Sequence, residues 1–380
     1  MDRPVYLNNA GAAWPLAPGV SQVVKGFLDA MPTPADSSGD RHPDVASECR
    51  QRLAAMLKVA DPSRVVLTQD ATFALNVAIF GLGLNNDSRV VCTVTEHSSA
   101  LRPLYRLKRR YPGIRIVPVG LGPEGALDMA RAEAALREGP TLLILNHASN
   151  VTGRINEAER LFRLARASGA FTLLDAAQTL GQITCHAEHL HADLVAFTAH
   201  KCLHGPPGVG GLYVRPGLDL EPFCVGGTDI QCHTLTQPEI MPARLEAGSP
   251  SAAAFAGLAQ ALQWQERHGA EFARRARTLA DLLRNALASV PGVDVVDADG
   301  HGLRTPIVSI RLDGWKPDLL SQKLYKDFGV ISKAGLHCAP LMHEALGTAP
   351  EGTVRFSVSG FNTESEIEAA VRAVKNIPPA

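Results

Sequence analysis

Short runs of β-branched and other apolar residues alternate with stretches of helical periodicity through the first part of the chain. The apolar runs lie at 64–68, 89–94, 114–118, 141–145, 171–174, 194–197 and 211–214. At 71–80, 126–137 and 157–168, apolar residues instead recur with the period of an amphipathic helix. This alternation predicts an α/β fold with three layers, in which a mainly parallel seven-stranded sheet is covered by helices on both faces.

The pattern changes after residue 251. A long helical pattern covers 252–268 and 271–290, strand-like runs follow at 306–311, 329–332 and 353–358, and a final helix begins at Glu364. Fewer strands mixed with packing helices indicate a smaller α+β domain at the C-terminal end. We therefore expect a large domain over 16–255 and a small domain formed by 1–15 and 256–380.

Composition narrows the class of protein. With 380 residues, of which 46% are hydrophobic and 20% charged, the chain can bury a large core. Lys and Arg total 37 against 38 Asp and Glu, so no net field attracts a polyanion and no nucleic-acid partner is expected. The first residues lack the apolar core of a signal peptide, and no stretch is long enough to span a bilayer. We expect a cytoplasmic protein with no membrane partner.

The cysteines do not suggest structural roles. There are 7 of them, scattered without the paired spacing of a metal site. An odd and scattered set also argues against a disulfide framework. We therefore expect no metal site and no network of disulfides.

Lys201 and Asp175 are the residues that point most directly to chemistry. Each lies just after an apolar run, Lys201 after 194–197 and Asp175 after 171–174, where the strands of a parallel sheet present ligand sites. A desolvated lysine can lose its proton and form a Schiff base with an aldehyde, while a carboxylate can keep a pyridine nitrogen protonated. A surface lysine and a helix-capping aspartate are the ordinary alternatives for each residue alone. The two together indicate pyridoxal 5'-phosphate.

The phosphate group of this cofactor could bind at residues 70–72. Ala71 and Thr72 follow a predicted strand and open a predicted helix, so backbone N–H groups and a hydroxyl converge there. Thr198 and His200 could add donors from the neighbouring strand end. An ordinary helix cap is the alternative explanation for Ala71 and Thr72.

Two further polar segments follow predicted strands. His97 could stack on the ring face opposite Lys201 and act as an acid or a base, or it could be structural. Asn150 lies in 146–153, whose amides could hold a phenolate oxygen or a substrate carboxylate, or form only a turn.

The C-terminal part contributes a thiol and a guanidinium. Cys338 lies beside His337 in a polar loop with a glycine, a setting that favours a thiolate, although a packed loop cysteine is the alternative. Arg355 could bind an α-carboxylate through two hydrogen bonds, or form an ordinary salt bridge on a strand.

In sequence order, eight segments resemble motifs of the cysteine desulfurases, in the class V aminotransferase family of fold type I pyridoxal-phosphate enzymes. These segments are 6–10, 96–97, 149–153, 175–178, 200–201, 205–208, 244–248 and 335–340. They run nearly from end to end of the chain. The resemblance therefore implies the fold type I architecture and a homodimer with shared active sites.

The resemblance also implies a role for each cofactor-binding residue. Lys201 would form the Schiff base, Asp175 would bind the pyridine nitrogen, Gln178 the phenolate oxygen, and His97 would stack on the ring. Ser249 would reach the phosphate bound by the partner subunit. The full set is Ala71, Thr72, His97, Asn150, Asp175, Gln178, Thr198, His200, Lys201 and Ser249.

The same resemblance implies the reaction. Cys338 corresponds to the catalytic thiol that takes sulfur from L-cysteine as a persulfide, leaving L-alanine, while Asn150, Lys333 and Arg355 correspond to substrate-binding positions. Sixteen residues separate Cys338 from Arg355. The loop is thus similar to the short loop of the branch that passes sulfur to an acceptor, either a dedicated protein or a small molecule.

Four positions depart from the family pattern. Lys333 stands in place of an arginine and Asn8 in place of an aspartate, and Ser98 and Ala100 replace the polar residues that usually follow His97. Other chemistries therefore stay open: a selenocysteine lyase, or a β-lyase, epimerase, aminotransferase or biosynthetic sulfur-inserting enzyme acting on another amino acid. A non-catalytic scaffold is a further alternative, although such a protein need not retain Lys201 and Asp175.

Overall fold

The structure is a computed structural model that describes residues 4–30, 44–228, 230–231, 233–297 and 302–378. Cys232 and parts of both expected domains, including residues 1–3 and 31–43, lie outside the described residues. In chain order the strands are β1 (Val5–Tyr6), β2 (Val65–Thr68), β3 (Arg89–Thr93), β4 (Arg115–Val119), β5 (Leu142–Asn146), β6 (Phe171–Asp175), β7 (Leu194–Thr198), β8 (Gly210–Val214), β9 (Val293–Val295), β10 (Ile307–Leu312), β11 (Val330–Ile331), β12 (Lys333–Gly335) and β13 (Thr353–Ser357). The helices are α1 (Val20–Asp29), α2 (Val45–Leu57), α3 (Ala71–Gly81), α4 (Ser98–Arg110), α5 (Met129–Arg137), α6 (Ala158–Ala167), α7 (Ala252–Ala288), α8 (Pro317–Phe328), α9 (Pro340–Ala345) and α10 (Glu364–Lys375).

A seven-stranded sheet, in the order β2-β8-β7-β6-β5-β3-β4, forms the centre of the fold. Neighbouring strands are parallel except around β8, which runs antiparallel to β2 and β7. The bounds of these strands agree with the seven apolar runs to within one residue. The predicted mainly parallel sheet is confirmed, because strands buried on both faces read as continuous apolar runs.

The sheet separates two hydrophobic cores. Along β5, Leu143 and Leu145 pack into the core beneath α2, α5 and α6, whereas Leu142 and Ile144 pack into the core beneath α3 and α4. Successive side chains of a strand point to opposite faces, so a strand with two apolar sets needs a cover on each side. This arrangement gives the three layers that the sequence predicts.

A second, antiparallel sheet has the order β12-β13-β10-β9 and lies against a third core. β1, near the N-terminal end, pairs with β11, so the first strand of the chain lies beside its C-terminal part. β12 was not expected from the sequence. Its register places Lys333 opposite Arg355 on β13, so two predicted substrate-binding residues lie side by side.

The long helical pattern forms one helix of 37 residues, α7, without a break at Gly269. Phe255 and Leu258 near its start belong to a core of the large sheet, whereas Leu279 and Leu283 belong to the third core. Packing at both ends offsets the roughly 1 kcal/mol that a helical glycine costs. The predicted domain boundary at 255/256 falls within α7, and the division into two domains stays a prediction. Within the described residues no helix is both long enough and apolar enough to cross a membrane.

Candidate active site

A cavity of about 310 Å³ opens where the carboxyl ends of the parallel strands meet the antiparallel sheet. Its volume is in the range of pockets that hold organic ligands. The predicted site residues that line it are Ala71, Thr72, His97, Asn150, Asp175, Gln178, Thr198, His200, Lys201, Lys333, Cys338 and Arg355. Ser249 is exposed and is not among the residues that line the cavity of a single chain.

Asp175, which is buried, and Lys201, which is half-buried, lie at neighbouring strand ends. Asp175 ends β6, which pairs with β7, and Lys201 follows β7 by three residues. Burial lowers the pKa of the Lys201 amine although Asp175 opposes the shift, and burial raises the pKa of Asp175 although the Ala177 N–H and Lys201 oppose it. In the described part of the chain the two form no salt bridge. Because desolvation outweighs their mutual attraction, the amine is shifted toward its reactive neutral form and the acid still lacks a cationic partner.

Residues at the start of α3 and after β7 provide hydrogen-bond donors to the cavity. Asp70 caps α3, and its Oδ1 accepts the Phe73 N–H at 2.8 Å. The N–H groups of Ala71 and Thr72, in the first turn, have no carbonyl partner within the helix. Thr198 Oγ1 lies 2.9 Å from His200 Nδ1 on the adjacent loop. Asp70 is therefore an ordinary cap, and the N–H groups beside it are still suited to a phosphate.

His97 precedes α4 and is held in one tautomer. Its Nδ1 accepts the Ser99 N–H at 3.1 Å, so the ring proton lies on Nε2. Burial lowers the pKa of His97 to about 4, with the Lys201, Arg355 and Arg102 charges adding to the shift. At neutral pH His97 is thus an uncharged imidazole.

Arg355 and Asn150 form the wall nearest the antiparallel sheet. Arg355 Nη1 donates to the Asn150 carbonyl at 2.9 Å and Nη2 donates to Asn8 Oδ1 at 3.4 Å. Burial lowers the pKa of Arg355 to about 10, so it remains charged at pH 7. Because Asn8 is an amide where the family pattern has aspartate, the guanidinium keeps its charge available to an anion in the cavity.

Cys338 lies on a strained loop at the mouth of the cavity. His337 and Cys338 have φ angles of 50° and 58°, in the left-handed region that costs a non-glycine residue roughly 1–2 kcal/mol. Backbone carbonyls anchor both residues: Asn150 Nδ2 donates to the His337 carbonyl at 2.6 Å, and the Ser98 N–H donates to the Cys338 carbonyl at 2.7 Å. The second bond ties Cys338 to the first turn of α4, next to His97.

A chain of side-chain hydrogen bonds supports the same loop from behind. His337 Nε2 lies 3.1 Å from the Lys333 carbonyl, His337 Nδ1 lies 3.4 Å from His343 Nε2, and His343 Nδ1 lies 2.7 Å from Thr348 Oγ1. Since a carbonyl only accepts, His337 donates from Nε2, His343 donates from Nε2, and Thr348 donates its hydroxyl proton. Burial lowers the pKa of His337 to about 3 and that of His343 to about 4, which keeps both rings neutral.

Glu96 is a buried acid beside the site that the sequence did not single out. Its Oε1 accepts the Thr93 hydroxyl at 2.7 Å and the Asn146 N–H at 2.9 Å, while Oε2 has no partner among the described residues. Burial raises its pKa to about 8, and the Asp175 charge adds to this rise. Glu96 is thus mostly protonated at pH 7 and leaves Asp175 as the acid that faces the cavity.

Comparison with known proteins supports the same family as the sequence motifs. Residues 5–370 match the model of the aminotransferase class-V family. A "probable cysteine desulfurase" of Methanothermobacter thermautotrophicus is 29% identical over 87% of this chain and 83% of that protein. A protein of the same name from Halobacterium salinarum is 30% identical over 86% of this chain and 79% of that protein. The apo structure of a cysteine desulfurase from Thermococcus onnurineus superposes with a TM-score of 0.88 at 27% identity, covering 98% of this chain and 94% of that one.

Class-V aminotransferases and cysteine desulfurases depend on pyridoxal phosphate, and the cavity fits this group. It combines a desolvated amine, a buried acid without a cationic partner and free N–H groups at the start of α3. Asn150 Oδ1 is also buried without a hydrogen-bond partner among the described residues. In the part of the chain that the structure describes, no three His, Cys, Asp or Glu side chains come together as ligands for a metal.

Replacing Glu96 by glutamine tests the buried protonated acid. The folded state raises the pKa of Glu96 from 4.5 to about 8, so its contribution to stability is complete below about pH 4.5 and is lost as the pH rises through 8. Glu96→Gln should therefore gain stability relative to wild type between pH 6 and pH 9, by at least about 1 kcal/mol in the free energy of unfolding from urea titrations. Glu344→Gln, at an exposed position, should have the same difference in unfolding free energy from wild type at pH 6 and at pH 9. Parallel curves for Glu96→Gln would contradict the assignment.

Replacing Thr348 by valine tests the support of the Cys338 loop. The loss of the hydrogen bond to His343 should let the loop leave its strained conformation, so that iodoacetamide alkylates Cys338 several times faster. Thr348→Ser should restore the wild-type rate because it retains the hydroxyl. Peptide mapping by mass spectrometry measures the alkylation rates of Cys338 and of the exposed Cys224 in the same sample, and Cys224 serves as the internal control. If Thr348→Val and Thr348→Ser are alkylated alike, the hydrogen-bond chain does not hold the loop.

Proposed function

The chain belongs to the aminotransferase class-V family, and we propose that within this family it is a pyridoxal-phosphate-dependent cysteine desulfurase. The reaction would convert L-cysteine to L-alanine and leave the sulfur as a persulfide on Cys338. The observation that carries the proposal is that Cys338 lines the same cavity as Lys201. Its carbonyl also accepts a hydrogen bond from the Ser98 N–H, at the start of the helix that follows His97. The names of the relatives support the same activity.

The cofactor would be held at both ends of the cavity. Lys201 would bind its aldehyde carbon, Asp175 would pair with the ring nitrogen, and Gln178, whose Nε2 also donates to the Ala10 carbonyl at 3.0 Å, would approach the phenolate oxygen. The phosphate would bind the donors at the start of α3 together with Thr198 and His200. When bound, pyridoxal phosphate supplies an electron sink that stabilises negative charge at the substrate carbons.

Arg355 would orient the substrate through its α-carboxylate. Its guanidinium is held in place by the Asn150 carbonyl and Asn8 Oδ1, and its Nε has no partner among the described residues. Lys333, opposite Arg355 in the β12–β13 pairing, adds a second positive charge at the rim of the cavity. A rigid cation of this kind places the substrate amine toward Lys201 and its sulfur toward Cys338.

Lys201 would carry out the proton transfers, and His97 would assist by donating a hydrogen bond to the substrate. Burial shifts Lys201 toward its neutral form, so its Nζ can take up the proton that leaves the substrate carbon. His97 is uncharged at pH 7 and carries its proton on Nε2, so it would position the substrate amine or thiol by donating a hydrogen bond from Nε2. The two groups therefore act without a large cost for burying a charge.

Cys338 would take the sulfur. As a thiolate, its Sγ attacks the substrate sulfur, a new S–S bond forms, and the electron pair of the substrate Cβ–S bond stays on Cβ. The Cβ carbon then takes up a proton and leaves as the methyl group of alanine. The sulfur that was a thiol in the substrate remains on the enzyme as the outer atom of a persulfide.

The proposal includes a homodimer in which Ser249 completes the partner's phosphate site. Ser249 follows a segment with several exposed apolar side chains, namely Val225, Ile230, Leu235 and Ile240. A group of exposed apolar residues in one segment is typical of a protein–protein interface. This supports a second copy as the source of the donor that the single chain lacks.

Incubating the holoenzyme with L-cysteine distinguishes the proposed desulfurase activity from the other reactions that the sequence left open. Alanine should appear together with sulfide when a reductant is present, and mass spectrometry should find the persulfide on Cys338. Cys338→Ala should keep the visible absorption of the bound cofactor and lose the persulfide, whereas Cys224→Ala, which removes another exposed thiol, should behave as wild type. Pyruvate in place of alanine would show β-elimination instead. Turnover of L-selenocysteine but not of L-cysteine would support the selenocysteine lyase.

Replacing Arg355 by alanine tests substrate orientation. Loss of a charge-assisted bond of about 1.5–3 kcal/mol should raise KM for L-cysteine by roughly 10- to 100-fold, with a smaller effect on cofactor binding measured by absorbance titration. Arg311→Ala, at an exposed position on the neighbouring strand β10, should leave KM unchanged. An unchanged KM in Arg355→Ala would remove Arg355 from the substrate site.

A further inference from the structure

The helix α4 carries a stripe of unpaired positive charge. Its 13 residues, Ser98–Arg110, include no Asp or Glu, and its basic residues are Arg102, Arg106, Lys108, Arg109 and Arg110. The four arginines are exposed, and within the described residues none of them pairs with a carboxylate. Arg102, Arg106 and Arg110 are spaced by four, which places them on one face of the helix.

This stripe begins at the catalytic loop and runs away from it. One cavity, of about 340 Å³, is lined by Cys338, His97, Arg102 and Arg106. A second, of about 410 Å³, is lined by Arg106 and Arg110 on one side and by Phe80 and Phe223 on the other. Arg106 is common to both cavities, and neither is lined by an Asp or a Glu among the described residues.

Aromatic rings hold the guanidinium groups in position. Arg106 Cζ lies 5.3 Å from the centroid of the Phe80 ring, which stacks on Phe223 at 5.4 Å, and Arg110 Cζ lies 5.3 Å from the centroid of Tyr111. Side chains that are ordered before binding lose less entropy when they bind a partner. Two of the three stripe residues, Arg106 and Arg110, are therefore prearranged by contacts with aromatic rings.

We propose that the cationic stripe Arg102–Arg106–Arg110 binds an acidic segment of an acceptor polypeptide, whose cysteine removes the sulfur from Cys338. The inference rests on the proposed function, because it needs the Cys338 persulfide. Arg102 and Arg110 are eight residue steps apart along the helix, roughly 12 Å, which is the length of about four extended residues and suits a peptide segment better than a small thiol. The cavity beside Cys338 receives the cysteine, and the second cavity receives acidic residues next to it in the acceptor sequence.

The transfer balances as a thiol–disulfide exchange. The acceptor thiolate attacks the outer sulfur of the Cys338 persulfide, a bond forms between these two sulfurs, and the bond to Cys338 Sγ breaks. Cys338 leaves as a thiolate and the acceptor carries the persulfide, so no oxidant or reductant is consumed. Positive charge near the reacting atoms stabilises the attacking thiolate and the departing one.

Synthetic peptides that contain one cysteine test the stripe. The holoenzyme is loaded with L-cysteine, freed of excess substrate, and mixed with a peptide whose cysteine is flanked by aspartates or with one flanked by lysines. At low salt the acidic peptide should remove the persulfide at least about tenfold faster, and the ratio of the two rates should fall toward one at high salt. In Arg106→Glu/Arg110→Glu the ratio should fall to about one or below at low salt. The ratio does not depend on how much of a variant is active.

The double variant Arg163→Glu/Arg166→Glu on α6 provides the matched control. Both residues are exposed and line neither cavity, so the same change of net charge should leave the preference for the acidic peptide intact. If this control variant loses the preference for the acidic peptide to the same extent, net charge alone explains the preference and the inference is overturned.

Three results distinguish the failures. If no persulfide forms on Cys338, the proposed desulfurase function is wrong. If the persulfide forms but both peptides react equally fast, the stripe does not recruit an acidic acceptor. If light scattering shows that Arg106→Glu/Arg110→Glu changes the oligomeric state, the stripe is an interface between copies of the chain, and the inference is overturned as well.

Discussion

The site depends on the desolvation of two opposite charges that do not neutralise each other. Lys201 is half-buried and Asp175 buried at neighbouring strand ends, and for each the cost of desolvation exceeds the gain from the other. A salt bridge between them would have left a charged, unreactive amine. Instead, both groups lie at the carboxyl ends of parallel strands and face a cavity. An amine shifted toward its neutral form suits a ligand aldehyde, and an acid without a cationic partner suits a protonated ring nitrogen.

The second sheet brings the sulfur chemistry to that pair. β13 carries Arg355 to the cavity wall, and the loop between β12 and α9 carries Cys338 to its mouth. This loop holds two residues at positive φ, and hydrogen bonds from Ser98, Asn150 and the His343–Thr348 chain offset that strain. The thiol is thus positioned by contacts from both sheets, and its reach toward the substrate depends on how they pack together.

Most of the residues that line the cavity could be predicted from the sequence, because strand ends are easy to recognise. The seven apolar runs located the sheet, and Lys201, Asp175, His97 and Asn150 were expected at its carboxyl edge, where they are found. Glu96 was noted only as part of the 96–97 motif and was given no role, since a glutamate next to a histidine gives no sign that its side chain turns into the core. β12 was also missed, because three residues with a glycine carry no period. Ser249 stays a prediction that a single chain does not test.

The local order of apolar and polar residues was enough to determine the α/β class, the seven strands of the large sheet and the identity of the chemical groups. Periodicity records which side chains are buried, and buried strands need little else to be recognised. Only the tertiary structure decided the state and the neighbours of those groups: the neutral His97, the protonated Glu96, the Arg355 charge held beside an amide, and the arginine stripe that starts at Cys338. Those properties depend on burial and on contacts between residues far apart in the chain, and neither is encoded in any local segment.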